Sequence, residues 1–107
     1  MDTYKLKLVN RRWDALLNGE KLDTIRLKEG NVKTPCFIEY ENCDYPEKKA
    51  TVYAYSSKYI LLKDVPNEPN KEDFLNRMKR HYSDITLDTE ILFIEHLSVD
   101  ETKSKYF

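Results

Sequence analysis

Glycine is scarce in this chain, with only Gly19 and Gly30 among 107 residues. Two isolated glycines cannot form the Gly-rich loop that cradles a phosphate or a dinucleotide, which excludes those binding modes. Cysteine is equally rare. Cys36 and Cys43 make no disulfide framework, and free thiols are expected. Joined with His81 and His96 they show neither zinc-knuckle spacing nor a paired-histidine motif, so no metal is expected. No apolar run approaches the length of a membrane span, and the start "MDTYKLKL" lacks the basic and apolar regions of a signal peptide. No membrane association is therefore expected, and a cytoplasmic location is. An excess of one charge is missing too: the net charge is −1, which excludes the uniformly basic surface of a protein that coats nucleic acid. The charge is unevenly spread, however. Residues 1–35 carry eight Lys/Arg against five Asp/Glu, and residues 36–107 carry ten against fourteen, so any basic patch is local and N-terminal.

What is present is a chain that is 40% hydrophobic and 35% charged, with tyrosine supplying eight of the aromatic residues. That is enough for one hydrophobic core under a charged surface, and the length suits a single domain. "YKLKLV" alternates as a half-buried strand, with Leu6 and Leu8 on one side and Lys5 and Lys7 on the other. In "VNRRWDALLNGE", Asn10 is the expected helix cap and Gly19 the left-handed stop, with Trp13, Leu16 and Leu17 on one face. "DTIRL" returns to alternation, placing Thr24 and Arg26 on one side and Ile25 and Leu27 on the other. "CFIEYE" and "ATVYAYSSKYILL" read as strands joined by the turn-rich "NCDYPEKK". The prolines of "KDVPNEPN" exclude regular structure there and deliver Asn70 as the cap of "KEDFLNRMKRHY", with Asp73 completing a capping box. Phe74, Leu75, Met78 and Tyr82 form that helix's core stripe, and "ILFIEHL" reads as a strand buried on both sides. The polar end "SVDETKSKYF" is expected to fray.

Few helices and many short strands in a small α+β chain point to a compact barrel with two helices packed across its ends. The N-terminal strand, the helix ending at Gly19, the lysine two residues on, the Thr-x-Arg strand, the β-rich middle, the late helix ending "HY" and the strand "ILFIEHL" resemble the ASCH domain of the PUA-like β-barrel superfamily. The likeness covers about residues 4–97 of one domain spanning 1–107, leaving 98–107 as a polar tail. Within that group "GEKLDTIR" is most similar to the small bacterial N4-acetylcytidine amidohydrolases, whose signature is Gly-x-Lys-x-x-Thr-x-Arg. The resemblance implies a Lys, Thr and Glu catalytic set. Lys21 and Thr24 match the first two, Arg26 matches the arginine that follows, and the glutamate falls on Glu68 in "PNEPN", with Glu72 as its rival. The chain departs from the group where many relatives carry a Gly-Asp turn, having "KEGNVKTP" instead.

The chemistry suits those residue types. Cleaving an acetyl amide on the exocyclic nitrogen of cytosine needs an activated nucleophile, support for an oxyanion and a proton for the leaving amine. A lysine amine beside an arginine can activate a threonine hydroxyl or a water it holds, and a loop glutamate can carry the proton. Arg26 offers planar donors to a carbonyl oxygen, and Tyr53 and Tyr55 are the candidates to stack a base among the sheet tyrosines, which also include Tyr40 and Tyr59. The scheme needs no cofactor or metal, and its partner is a small nucleoside. Two alternatives stay open: a non-catalytic module binding single-stranded RNA, and a ribonuclease with the same cleft. Against all three stands the reading of Lys21 as an exposed turn lysine between Glu20 and Asp23. No stable protein partner is expected.

Overall fold

The computed structural model describes residues 1–27 and 32–107. The stretch "KEGN" at 28–31, part of the departure noted above, lies outside the described residues. Five strands occur in the order expected: β1 (Thr3–Leu8), β2 (Asp23–Leu27), β3 (Cys36–Asn42), β4 (Lys49–Leu61) and β5 (Glu90–His96). They form one sheet in the order β1-β3-β4-β5-β2. β1 runs parallel to β3, with Leu6 opposite Tyr40, and β3 pairs antiparallel with β4, with Ile38 opposite Val52. The helices are α1 (Trp13–Leu17), α2 (Lys71–Lys79) and α3 (Val99–Tyr106), so there are three among the described residues where two were expected.

The additional helix corrects the expectation of a fraying tail. Ser98 accepts a hydrogen bond from the Glu101 amide, capping α3, and Asp100 and Glu101 in its first turn suit the helix dipole. Val99 and Thr102 are buried. The Thr102 hydroxyl donates to the Ser98 carbonyl and accepts from the Tyr53 amide, which fastens α3 to β4. Two polar side chains thus do what an apolar stripe does for most helices, and a hydropathy pattern does not register that. A second correction concerns Asn10. It opens a single 3-10 turn ahead of α1, without a side-chain cap, and its carboxamide oxygen accepts instead from Asn42 Nδ2 at 2.9 Å. Gly19 stops α1 as expected, at φ +85°. Trp13 and Leu16 are buried but Leu17, expected on the same face, is exposed.

Two compact units divide the chain. The larger is built on Met1–Thr24, on β3 with the first part of β4, and on Ile94–Phe107. Its inner face follows from strict alternation: Cys36, Ile38, Tyr40 and Asn42 on β3 and Ala50, Val52 and Ala54 on β4 are all buried. The opposite face carries the cross-strand partners Lys5 and Glu39, and Lys7 and Glu41, the latter pair 3.6 Å apart. The smaller unit comprises Lys58–Phe93 with the segment that starts at Ile25. Its core gathers Leu62, Val65, Phe74, Ile85, Ile91 and Phe93, with Ile25, Leu27, Leu75, Met78 and Tyr82 against them. Each of the six buried side chains of that core stabilises by about 1.5–3 kcal/mol. Asn70 caps α2 as expected, its Oδ1 accepting from the Asp73 amide. The Asp73 carboxylate, expected to close the capping box, accepts from Arg77 Nε at 3.2 Å.

Candidate active site

Lys21 is where the structure departs most from the plain reading of its sequence. In place of an exposed turn lysine, it is a buried one, with only 9% of its surface accessible. The reason is local. After the Gly19 turn the backbone amides of Glu20 and Lys21 both donate to the Ala15 carbonyl, which folds the chain back over the end of α1 and carries the lysine inward. Its Nζ donates a hydrogen bond to the Asp23 carbonyl. That carbonyl belongs to the peptide group joining Asp23 to Thr24, so the amine is tied to the backbone immediately before the threonine. Thr24 is itself 4% exposed, on β2. Arg26 lies two residues further along β2 and is half-buried.

Beside Lys21 is a buried polar pair that sequence reading did not connect with it. The Tyr40 ring, fully buried, has its centroid 5.8 Å from Lys21 Nζ. The Tyr40 oxygen lies 3.0 Å from His96 Nε2, and His96 Nδ1 lies 2.7 Å from the Leu97 carbonyl oxygen. A carbonyl can only accept, so Nδ1 carries the proton, Nε2 is the acceptor, and the Tyr40 hydroxyl donates to it. This neutral tautomer is the stable one. Burial pushes the His96 pKa down to about 4, opposed by the bond to the Leu97 carbonyl and reinforced by the positive charge of Lys21. The available signals were a histidine inside the apolar run "ILFIEHL" and a tyrosine at an inward position of "CFIEYE". Neither says that two residues 56 apart in sequence meet.

The tyrosines expected to stack a base are placed elsewhere. Tyr53 and Tyr55 occupy the outward positions of β4, alternating with Val52 and Ala54, and so lie on the face of the sheet opposite Tyr40. Tyr53 stacks on Tyr106 of α3 at 4.5 Å and meets Phe37 edge-on, and a hydrogen bond with Tyr106 pushes its hydroxyl above the ordinary tyrosine value. Tyr55 is exposed. The alternation that defines a strand thus separates these two rings from Lys21. On the same outward face a groove of about 180 Å³ is lined by Lys5, Leu6, Lys7, Glu39, Glu41 and Lys49, whose lysine charges are largely offset by the two glutamates.

Glu68 belongs to the smaller unit, where Arg77 donates to its carboxylate at 2.7 Å. This bond, opposed by partial desolvation and joined by the Asp73 carboxylate, raises the Arg77 pKa. The loop that presents Glu68 is restrained along its length. Asn67 has φ +64°, prolines flank the Asn67–Glu68 pair, and Lys71 Nζ donates to the Val65 carbonyl at 2.7 Å. Glu72, the rival, is an exposed residue in the first turn of α2. Cys36 is buried, which together with Asp2 raises its pKa, and Cys43 is exposed. Among the described residues no group of three or more His, Cys, Asp or Glu side chains is arranged to hold a metal, and no helix is long and apolar enough to cross a membrane.

No known family model and no curated protein sequence matches the chain. Among solved structures it is similar to an ASCH domain from Lactobacillus crispatus JV V101, with a TM-score of 0.67 over 92% of this chain and 80% of that one, at 16% identity. The chain therefore has the fold of an ASCH domain, in keeping with the small α+β architecture expected from the sequence.

Proposed function

We propose that this protein is an amidohydrolase acting on an acylated exocyclic amine of a nucleoside, with N4-acetylcytidine as the model substrate. The observation that carries the reading is the buried Lys21, its amine tied to the peptide group immediately before Thr24. A lysine recruited to bind RNA phosphates would be solvated and free to release counterions, whereas a buried amine suits proton transfer.

In this scheme turnover follows loss of a proton from the Lys21 ammonium to solvent: the free amine then removes a proton from a water held at the Thr24 hydroxyl as the water oxygen bonds to the acyl carbonyl carbon. The carbonyl π electrons move to oxygen, giving a tetrahedral intermediate. When they return, the C–N bond breaks, and the proton taken from the water reaches the exocyclic nitrogen. Acetic acid and cytidine are released, and the acid then gives its remaining proton to solvent to become acetate. Arg26 is the proposed donor to the oxyanion, and Glu68 the proposed carrier of the proton to the leaving amine.

The test is conversion of N4-acetylcytidine to cytidine by the purified protein, followed by chromatography. Lys21→Arg keeps the positive charge and removes the usable amine, so turnover should fall at least about 100-fold with nucleoside affinity within a few fold. Full activity in Lys21→Arg would refute lysine as the base. No hydrolysis by the unaltered protein, combined with salt-sensitive binding of single-stranded RNA, would favour the non-catalytic module, and RNA cleavage would favour the ribonuclease.

A further inference from the structure

Tyr40 presents the face of its ring to the amine that the proposed reaction charges. Lys21 Nζ lies 5.8 Å from the ring centroid, inside the reach of roughly 6 Å over which an aromatic quadrupole attracts a cation. The ring is held by a chain of bonds that contains no net charge. Its hydroxyl donates to His96 Nε2, and His96 is in turn fixed by donation from Nδ1 to the Leu97 carbonyl. Tyr40 and His96 are 0% and 1% exposed, so solvent does not compete with either bond.

We propose that Tyr40 is a positioning residue for Lys21, its ring face stabilising the ammonium that Lys21 becomes on accepting a proton, with His96 holding the ring in that orientation. The proposal rests on the reading of Lys21 as the base. It assigns a purpose to a buried tyrosine–histidine pair that the hydrolytic scheme leaves unused. The titratable side chains beside Lys21 include Tyr40 on β3 and His96 on β5, while Asp23 contributes its backbone carbonyl. Glu20, the preceding residue, bonds with Asn18. His96 is neutral well above pH 4, so it holds one state across an assay from about pH 6 to pH 11.

Fluorine withdraws electron density from a ring with little change in its shape, and so separates attraction for a cation from packing. Two series at position 40 of the full chain provide the test: phenylalanine with zero, two and three fluorines, whose rings carry no titrating group, and tyrosine with 3-fluorotyrosine, compared by initial labelling rate only below about pH 7, where the hydroxyl stays protonated and keeps the bond to His96. Lys21 is labelled with trace acetic anhydride across the pH range and its modification is read by peptide mass spectrometry. Each fluorine should weaken the hold on the ammonium and move the midpoint of Lys21 labelling to lower pH, by about one pH unit across the phenylalanine series. The acidic limb of kcat for N4-acetylcytidine should move with it, with KM within about twofold.

A labelling midpoint that does not move with fluorine content overturns the proposal, because a ring that only fills space is indifferent to its electron density. If the phenylalanine series fails to fold for want of the hydroxyl, the tyrosine pair decides by its initial rates, which fluorine should raise. Labelling requires no turnover. A protein that leaves N4-acetylcytidine intact but shows the labelling trend would refute the hydrolase and retain the role of Tyr40 beside Lys21.

Discussion

Acidification should destabilise this protein through a single buried imidazole. His96 is 1% exposed, and its pKa is lowered from 6.5 to about 4, chiefly by burial. In the unfolded chain the ring takes up a proton near pH 6.5, whereas in the folded chain it resists doing so until about pH 4. Between those values the unfolded state binds more protons, so stability rises with pH. The contribution is complete above pH 6.5 and is lost as pH falls through the folded value. The shift corresponds to about 3 kcal/mol in total, of which about 2 kcal/mol is already lost at pH 5. That is a large share of the roughly 5–15 kcal/mol that holds a domain folded.

The assay is urea unfolding from pH 4.5 to pH 8 for the unaltered protein and His96→Gln. Glutamine can take up the bonds to Tyr40 and Leu97 without titrating, and carboxylate effects common to both proteins cancel in the difference. That difference should be flat above about pH 7 and grow toward acid, with the His96 ring still neutral by NMR at pH 5. A ring that titrates near 6.5 in the folded protein, or a difference independent of pH, would refute the reasoning.

Thr102→Val removes a hydroxyl that bonds both the Ser98 carbonyl and the Tyr53 amide while preserving shape, and should destabilise by about 1–3 kcal/mol in urea unfolding. The same variant should increase protease sensitivity near the C-terminal end, because α3 is fastened to β4 there. If Glu68 is the glutamate of the proposed reaction, Glu68→Gln should cut hydrolysis at least about 100-fold while Glu72→Gln changes it less than about threefold; the reverse order would transfer the role to Glu72. Arg77, whose bond to Glu68 is partly exposed, should matter little to stability in the same pair of variants, as such ion pairs contribute about 0–1 kcal/mol.

The sequence by itself determined the features that depend on near neighbours. Alternation in "YKLKLV", "CFIEYE" and "ATVYAY" determined which side chains face inward. Gly19 determined where α1 stops, Asn70 where α2 begins, and the stripe from Phe74 to Tyr82 which side of α2 is core. Each is a rule of two-, three- or four-residue periodicity or of one backbone conformation, and each can be read in a short window. The same alternation, followed one step further, would have placed Tyr53 and Tyr55 on the face opposite Tyr40.

Tertiary structure alone decided the rest. Whether Lys21 is solvated or buried depends on the turn after Gly19 folding back onto Ala15, and nothing in "GEKLDTIR" encodes its depth. The meeting of Tyr40 with His96, and of both with Lys21, requires β3 and β5 to be brought together in the larger unit by a chain path of 56 residues. The helix at 99–106 forms because Thr102 finds two partners, one of them on β4, and Ser98 caps its first turn. Polar groups acquire their meaning from their partners. When those partners are distant in sequence, only the folded chain shows whether a lysine, a histidine or a threonine is surface, core or site.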